Sequence, residues 1–416
     1  MSVRIAIRGR IAVITLDFPP VNSLSAALRE TLDDTLSSAA RNTRVDGIVL
    51  TGTSRAFSAG ADVKEFGTDA ATRQPRLATL IAALESSTKP IVAAISGVCL
   101  GGGLELALGA HFRVAHRDAK IGLPEVTLGL LPGAGGTQRL PRALGLEEGF
   151  DMIVSGKVVQ AASLKSTALF DIVTDGDPVD AAVVFCETAI KQDLPLKRLR
   201  DIQIQATEST VLDELRKKMA SSAGRFPAPL QCAEAVSWCV GMPFDEAMQK
   251  EREAFSRLIA SPESRALRHA FAAERAATKI EGLGSATLRD IRRVGVIGAG
   301  TMGSGIAMAC VNAGFQVVLV DASQDALDKG LANIRKNYES SVRKGKLTHD
   351  QVEQRIASIK TANEYSQLSG VDLAIEAVFE DMAVKRSVFA QLDNICKPGT
   401  IMASNTSFLD IDQLAA

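Results

Sequence analysis

Two glutamates twenty residues apart, each beside a glycine-rich turn, are the residues of this chain best placed to do chemistry. The first lies in Ser96-Gly-Val-Cys-Leu-Gly-Gly-Gly-Leu-Glu-Leu-Ala-Leu108, where an apolar strand enters three glycines and a helix leaves, with Glu105 on its first turn. Free N–H groups at the positive end of a helix suit a developing oxyanion. The same glycines would also serve close packing of helix on sheet. The second glutamate ends Gly122-Leu-Pro-Glu125, a short loop after a strand, and Leu128-Gly-Leu-Leu-Pro-Gly-Ala-Gly-Gly-Thr-Gln-Arg139 follows as another glycine-rich entry to a helix. Upstream, Arg55-Ala-Phe-Ser-Ala-Gly-Ala-Asp-Val-Lys64 offers either a backbone that a ligand can approach or a plain tight turn. Either glutamate alone reads as a solvated or capping residue. The ordered set does not, because it combines donors at a helix end with a carboxyl on that helix's first turn, a second carboxyl twenty residues on and a further glycine-rich helix entry.

A second constellation begins at Arg293-Val-Gly-Val-Ile-Gly-Ala-Gly-Thr-Met-Gly303. A lone G-x-G-x-x-G is weak, but here Gly298, Gly300 and Gly303 follow a strand and open a helix, and Asp321 ends the next strand eighteen residues later. That arrangement suits a dinucleotide, with the pyrophosphate at the helix end and the acid on the ribose hydroxyls, which favours NAD over NADP. The alternative is a glycine turn in an unrelated α/β unit.

These groups need elements to hold them. From residue 1 to about 190, short β-branched runs (Ile11–Leu16, Gly47–Thr51, 90–95, 113–115) alternate with helical stretches at 25–40 and 77–85, which predicts an α/β domain. Residues 191–288, rich in Ala, Glu, Arg and Lys at helical spacing (244–259, 264–279), predict an all-helical connector, with a loop at 221–229 and a boundary at 281–289. Residues 289–416 predict a dinucleotide-binding sheet with about four strands where six are usual.

Composition bounds the partners. A net charge of −1 gives no electrostatic reason to expect nucleic acid or a membrane surface. The N-terminus alternates around Gly9 as a hairpin does, and apolar runs such as 90–100 are too short to span a bilayer. Six scattered cysteines and four unclustered histidines predict reduced core thiols and no metal site. The expectation is a soluble, cytoplasmic chain.

Most of residues 1–190 resembles the enoyl-CoA hydratase/isomerase (crotonase) superfamily. Ser-Ala-Gly-Ala-Asp, Gly-Gly-Gly-Leu-Glu-Leu, Leu-Pro-Glu-Val and Pro-Gly-Ala-Gly-Gly-Thr-Gln-Arg stand in that family's order and spacing. The resemblance implies a ββα-spiral domain that adds water across the α,β double bond of a 2-enoyl-CoA and also shifts Δ3 double bonds to Δ2. It further implies an oxyanion hole made by the N–H groups of Ala61 and Gly102. Glu105 would be the base and Glu125 the acid, and the backbone of Ala61, Asp62, Val63 and Lys64 would lie beside CoA.

The third region resembles the NAD-binding half of 3-hydroxyacyl-CoA dehydrogenases, through the fingerprint, Val371-Asp-Leu-Ala-Ile-Glu-Ala-Val-Phe-Glu-Asp-Met-Ala-Val-Lys385 and Ala403-Ser-Asn-Thr-Ser407. By that match Met302, Val378, Glu380 and Lys385 contact NAD, and Ser407 approaches the substrate hydroxyl. Together the two halves resemble the multifunctional fatty-acid β-oxidation enzymes, which implies a peroxisomal alternative to the cytoplasm and a thiolase partner for a full-length protein. The His–Glu pair of such dehydrogenases lies downstream of the Ser-Asn-Thr-Ser segment, and this chain ends nine residues after Ser407. The expectation is therefore a truncated dehydrogenase part that binds NAD weakly and does not reduce it. Two other readings stay open: a dehydrogenase as the main activity, and a non-catalytic CoA-thioester binder.

Overall fold

Gly9, at φ +60°, turns the chain between β1 (Val3–Arg8) and β2 (Ile11–Leu16), which pair antiparallel. Then come β3 (Gly47–Thr51), β4 (Ala56–Ser58), β5 (Ile91–Ile95), β6 (Val98–Leu100), β7 (Phe112–His116), β8 (Lys120–Gly122), β9 (Val159–Gln160) and β10 (Ile172–Thr174). One sheet runs β1-β2-β3-β5-β7-β10, parallel after the first pair. Every residue of β3 and β5 is buried, so these strands read as continuous apolar runs and not as alternation. The helix Pro178–Lys191 covers one face, packing Ala182, Cys186 and Ala189 on Val49, Val92 and Val114. The larger core on the other face includes Leu28 and Leu32 of the helix Ala26–Arg41, which Ser25 caps by accepting from Leu28 N.

The second sheet, β4-β6-β8-β9, sets the site. Strands β4, β6 and β8 are parallel neighbours, with Ser58 opposite Cys99 and Leu100 opposite Gly122. The chain leaving their carboxyl ends therefore delivers Ala61, Gly102 with Glu105, and Glu125 to one place. Glu105 rides the helix Gly102–Leu108, and Glu125 sits on the 3-10 turn Pro124–Leu128, not in an irregular loop.

The structure, a computed structural model, describes residues 2–204, 217, 226–277, 282, 287–343 and 346–416. The loop expected at 221–229, the end of the helix expected at 264–279 and the boundary at 281–289 lie partly outside them. The helices Ala228–Ser237, Phe244–Ala260 and Pro262–Ala277 are present where a separate connector is expected, but they belong to one unit with the first domain, Met1–Ile280. The apolar stripes of the first two are the reason: Cys232, Val236, Ala254 and Leu258 are buried in the same core as the sheet, and Ser264 of the third donates to Leu128 O. An amphipathic helix with no partner of its own takes the nearest uncovered apolar surface.

The second unit, Glu281–Ala416, holds β11 (Arg293–Ile297), β12 (Gln316–Val320), β13 (Ile359–Ala362), β14 (Leu373–Glu376) and β15 (Ile401–Ser404), all parallel in the order β13-β12-β11-β14-β15. Five strands stand where the sequence predicts about four. The additional one is β13, whose Ile-Lys-Thr-Ala has too little apolar character to be read as a strand. The order places β11 at the reversal point where such sheets take ligands. Among the described residues no helix is long and apolar enough to cross a membrane, and no cluster of His, Cys, Asp and Glu could hold a metal. All six cysteines are free.

Candidate active site

At the ends of β4 and β6 two backbones converge. A Cβ placed on Gly102 would lie 3.3 Å from Ala61 N, so the two N–H groups sit side by side. Gly102 opens its helix and has no intrahelical acceptor to reach. Among the described residues neither Ala61 N–H nor Gly102 N–H donates to a protein acceptor. Two adjacent, unspent donors at a helix end make the predicted oxyanion hole geometrically available. Asp62, Val63 and Lys64 leave it toward the surface on the 3-10 turn Val63–Glu65, where Asp62 accepts from Lys64 N at 3.0 Å.

The two predicted glutamates are brought together, in different surroundings. Glu105 is 3% exposed, and its Oε1 accepts from Ala134 N at 2.7 Å and Gly136 N at 2.8 Å. Burial pushes its pKa up, while those two N–H groups and the charge of Arg139 pull it back. Glu125 is pushed further in the same direction. Its Oε2 is buried with no hydrogen-bond partner. Burial first, and then the Glu105 charge, push it well above the ordinary carboxylate range. Its Oε1 lies 2.8 Å from where a Cβ on Gly101 would be, and Gly101 has φ +53°, so only glycine fits there. Both carboxyls are thus pushed toward their protonated forms, Glu125 further than Glu105, so the two differ in how readily they ionise.

A third buried carboxyl escapes the sequence reading. Glu251, from the helix Phe244–Ala260, is 0% exposed and accepts from Gly135 N at 2.7 Å, Thr137 N at 3.2 Å and the Thr137 hydroxyl. Burial first, then the Glu105 charge, raise its pKa to about 8. The signal is present in the sequence: Ala247, Glu251, Ala254 and Leu258 fall on one helical stripe, and a carboxylate in an apolar stripe needs partners. Glu85 escapes it too. It takes Arg139 in a bidentate pair at 2.8 and 2.7 Å, both side chains 4% exposed, and so fixes the helix Gly136–Leu144 behind Glu105.

In the second unit the glycine turn has the form a dinucleotide needs. A Cβ on Gly303 would lie 1.7 Å from Gly298 O, whereas one on Gly300 would meet nothing within 4 Å, which leaves open space at the helix end. Asp321 Oδ2 accepts from Ala299 N at 2.8 Å, so its carboxylate stands against that turn. Met302 is 57% exposed beside it. Val378 N donates to Glu376, and Glu380 accepts from the Thr406 hydroxyl at 2.6 Å and Ser407 N at 2.9 Å. Those donors, with Lys385, hold the Glu380 pKa down at about 2. Lys385 is expected at the ligand, yet it is fully buried, with Nζ on Glu376 at 2.8 Å and on Glu380 at 3.1 Å. Its charge acts through Glu380 and not from an open surface.

The family model for Enoyl-CoA hydratase/isomerase matches residues 6–231, and that for 3-hydroxyacyl-CoA dehydrogenase, NAD binding domain, matches residues 293–416. The peroxisomal bifunctional enzyme of Danio rerio is 37% identical over 417 residues, 98% of this chain and 57% of the relative. That of Homo sapiens is 37% identical over 420 residues, 99% of this chain and 57% of the relative. The peroxisomal fatty acid beta-oxidation multifunctional protein of Arabidopsis thaliana is 35% identical over 415 residues, 97% and 58%. The chain thus spans somewhat more than half the length of these relatives.

Proposed function

The chain belongs to the enoyl-CoA hydratase/isomerase family, with a 3-hydroxyacyl-CoA dehydrogenase NAD-binding domain following in the same polypeptide, and from that premise we propose that it hydrates 2-enoyl-CoA thioesters of fatty-acid β-oxidation. The observation that carries the proposal is the unequal pair of glutamates beside two unspent N–H donors. Water adds its oxygen to Cβ and gives its proton to Glu105. Negative charge moves to the thioester oxygen, where Ala61 N–H and Gly102 N–H receive it. Glu125 delivers its proton to Cα. The product is a 3-hydroxyacyl-CoA, and proton exchange from Glu105 to Glu125 restores the site.

The same hole stabilises a dienolate, so Δ3-to-Δ2 isomerisation is a second reaction of the site. Glu125, whose Oε2 has no hydrogen-bond partner, is the group to move that proton from Cα to Cγ. The thioester should cross the Ala61–Lys64 backbone with its CoA end at the exposed turn. Incubated with a short 2-enoyl-CoA, the protein is expected to bleach the enone absorbance and yield the 3-hydroxy thioester. Tight binding of the thioester without bleaching would instead favour a binding protein.

For the second unit the proposed ligand is NAD, held by the Gly298–Gly300–Gly303 turn and by Asp321, with Met302, Val378 and Glu380 around it and Ser407 toward a substrate hydroxyl. NAD would supply a hydride acceptor. Asp321→Asn is expected to weaken NAD binding by about 10- to 100-fold in calorimetric titration, the usual range for a hydrogen bond to a charged group. Equal affinities would remove Asp321 from the site. The relatives' names support the peroxisomal alternative over the cytoplasm. A 3-hydroxyacyl product calls next for oxidation and then thiolytic cleavage, which keeps a thiolase as the proposed partner of a longer protein.

A further inference from the structure

The four backbone N–H groups of residues 134–137 are divided alternately between two buried glutamates from distant parts of the chain. Ala134 N and Gly136 N go to Glu105, while Gly135 N and Thr137 N go to Glu251, which also takes the Thr137 hydroxyl. Such a turn cannot shift toward one carboxyl without pulling away from the other. Both oxygens of the Glu251 carboxyl accept from that turn, whereas Glu105 meets it through Oε1 alone, so Glu251 is its anchor and not a substrate contact. Docking its helix does not require it either, since an apolar residue would dock as well without a desolvated carboxyl.

We propose that Glu251 is a positioning residue for hydration: by anchoring Gly135 and Thr137 it fixes the N–H pair that aims the Glu105 carboxylate. The inference rests on the hydration reading above. Glu105, Glu125, Arg139, Cys232 and Cys239 are the ionisable groups that face Glu251 from the elements packed on it. The pKa of Glu251, raised to about 8 by burial and then by Glu105, fits that closeness. Repulsion is mutual, so two such carboxyls titrate as a pair, each sensing both protonation steps.

The test compares wild type with Glu251→Gln, which is nearly isosteric but presents an NH2 where Thr137 N–H now donates. Folded Glu251→Gln is expected to lose about 10- to 100-fold in kcat, the scale of a misaimed catalytic group, with KM within about twofold. In protein carrying 13C-carboxyl glutamate, the Glu105 signal, assigned by its loss in Glu105→Gln, is expected to lose in Glu251→Gln the titration step that follows Glu251 and to keep the step it shares with Glu125. Wild-type kcat in Glu251→Gln overturns the proposal. So does a fall in kcat that merely follows the folded fraction while Glu105 keeps its wild-type titration. Should Glu251→Gln not fold, Thr137→Val removes only the hydroxyl donor and is expected to lower kcat at constant KM; unchanged kcat there also overturns it. A wild type that does not hydrate sinks the hydratase reading separately, because the Glu105 titration reads the coupling without turnover.

Discussion

Glu125→Gln is expected to lose both hydration and isomerisation, whereas Glu105→Gln is expected to lose most hydration yet keep measurable isomerisation. The reason is the number of protons each reaction moves. Hydration takes one from water and gives one to Cα, so both carboxyls have distinct work. Shifting a double bond carries a single proton from Cα to Cγ, and one base can do it. Removing a general acid or base costs about 10²- to 10⁴-fold, which sets the scale of each loss. The substitutions should leave the fold intact, because the amide oxygen introduced by Glu105→Gln can still accept from Ala134 N and Gly136 N. Circular dichroism checks this before rates are compared.

The pH dependence sharpens that test. Hydration needs Glu125 protonated, and isomerisation needs it ionised. Its pKa is pushed well above the usual range, by burial and then by Glu105. Over the interval where Glu125 ionises, hydration should therefore fall with rising pH while isomerisation rises. In Glu105→Gln one cause of the raised pKa is gone, so the rising limb of isomerisation should move to lower pH. Equal loss of both reactions in Glu105→Gln would mean that neither carboxyl works without the other.

Ala61→Pro should cost about 10²- to 10³-fold in hydration rate, as deletion of one oxyanion-hole donor does. The change removes the N–H itself, which no side-chain deletion can do. That N–H donates to no protein acceptor among the described residues, so its loss breaks no internal hydrogen bond. Affinity for a saturated acyl-CoA, measured by calorimetry, should change far less than kcat, because the hole binds the charged oxygen of the transition state more strongly than the ground-state carbonyl. A folded variant with near-normal turnover would reassign the donor.

Much of the candidate site's geometry is legible in the sequence because its parts are local. Strands β2 and β3 have the expected limits, and Glu105 and Glu125 sit within five residues of the strand ends that aim them. What escapes depends on distant contacts. Glu251 meets Gly135 and Thr137 across more than a hundred residues, and only its place in an apolar stripe hints at a partner. Lys385 enters as an NAD contact through the dehydrogenase resemblance alone. The fold instead offers it Glu376, a buried carboxylate nine residues away, and sequence does not say which of two anions a lysine will meet. The helical segment after residue 191 reads as a body of its own, since periodicity reveals an apolar face and not what covers it.

The docking of those helices bears on how such a polypeptide can be cut and recombined. Phe255 packs edge-on against Phe66 at 6.3 Å, and Ser264 donates to Leu128 O at 2.9 Å, both reaching back across the whole first domain. A chimaera that grafts residues 1–190 onto a foreign partner would leave apolar surface bare and residues 134–137 half anchored. The seam that respects the packing lies at the end of the first unit, Met1–Ile280, so exchange of modules at this junction must carry the helices with that unit.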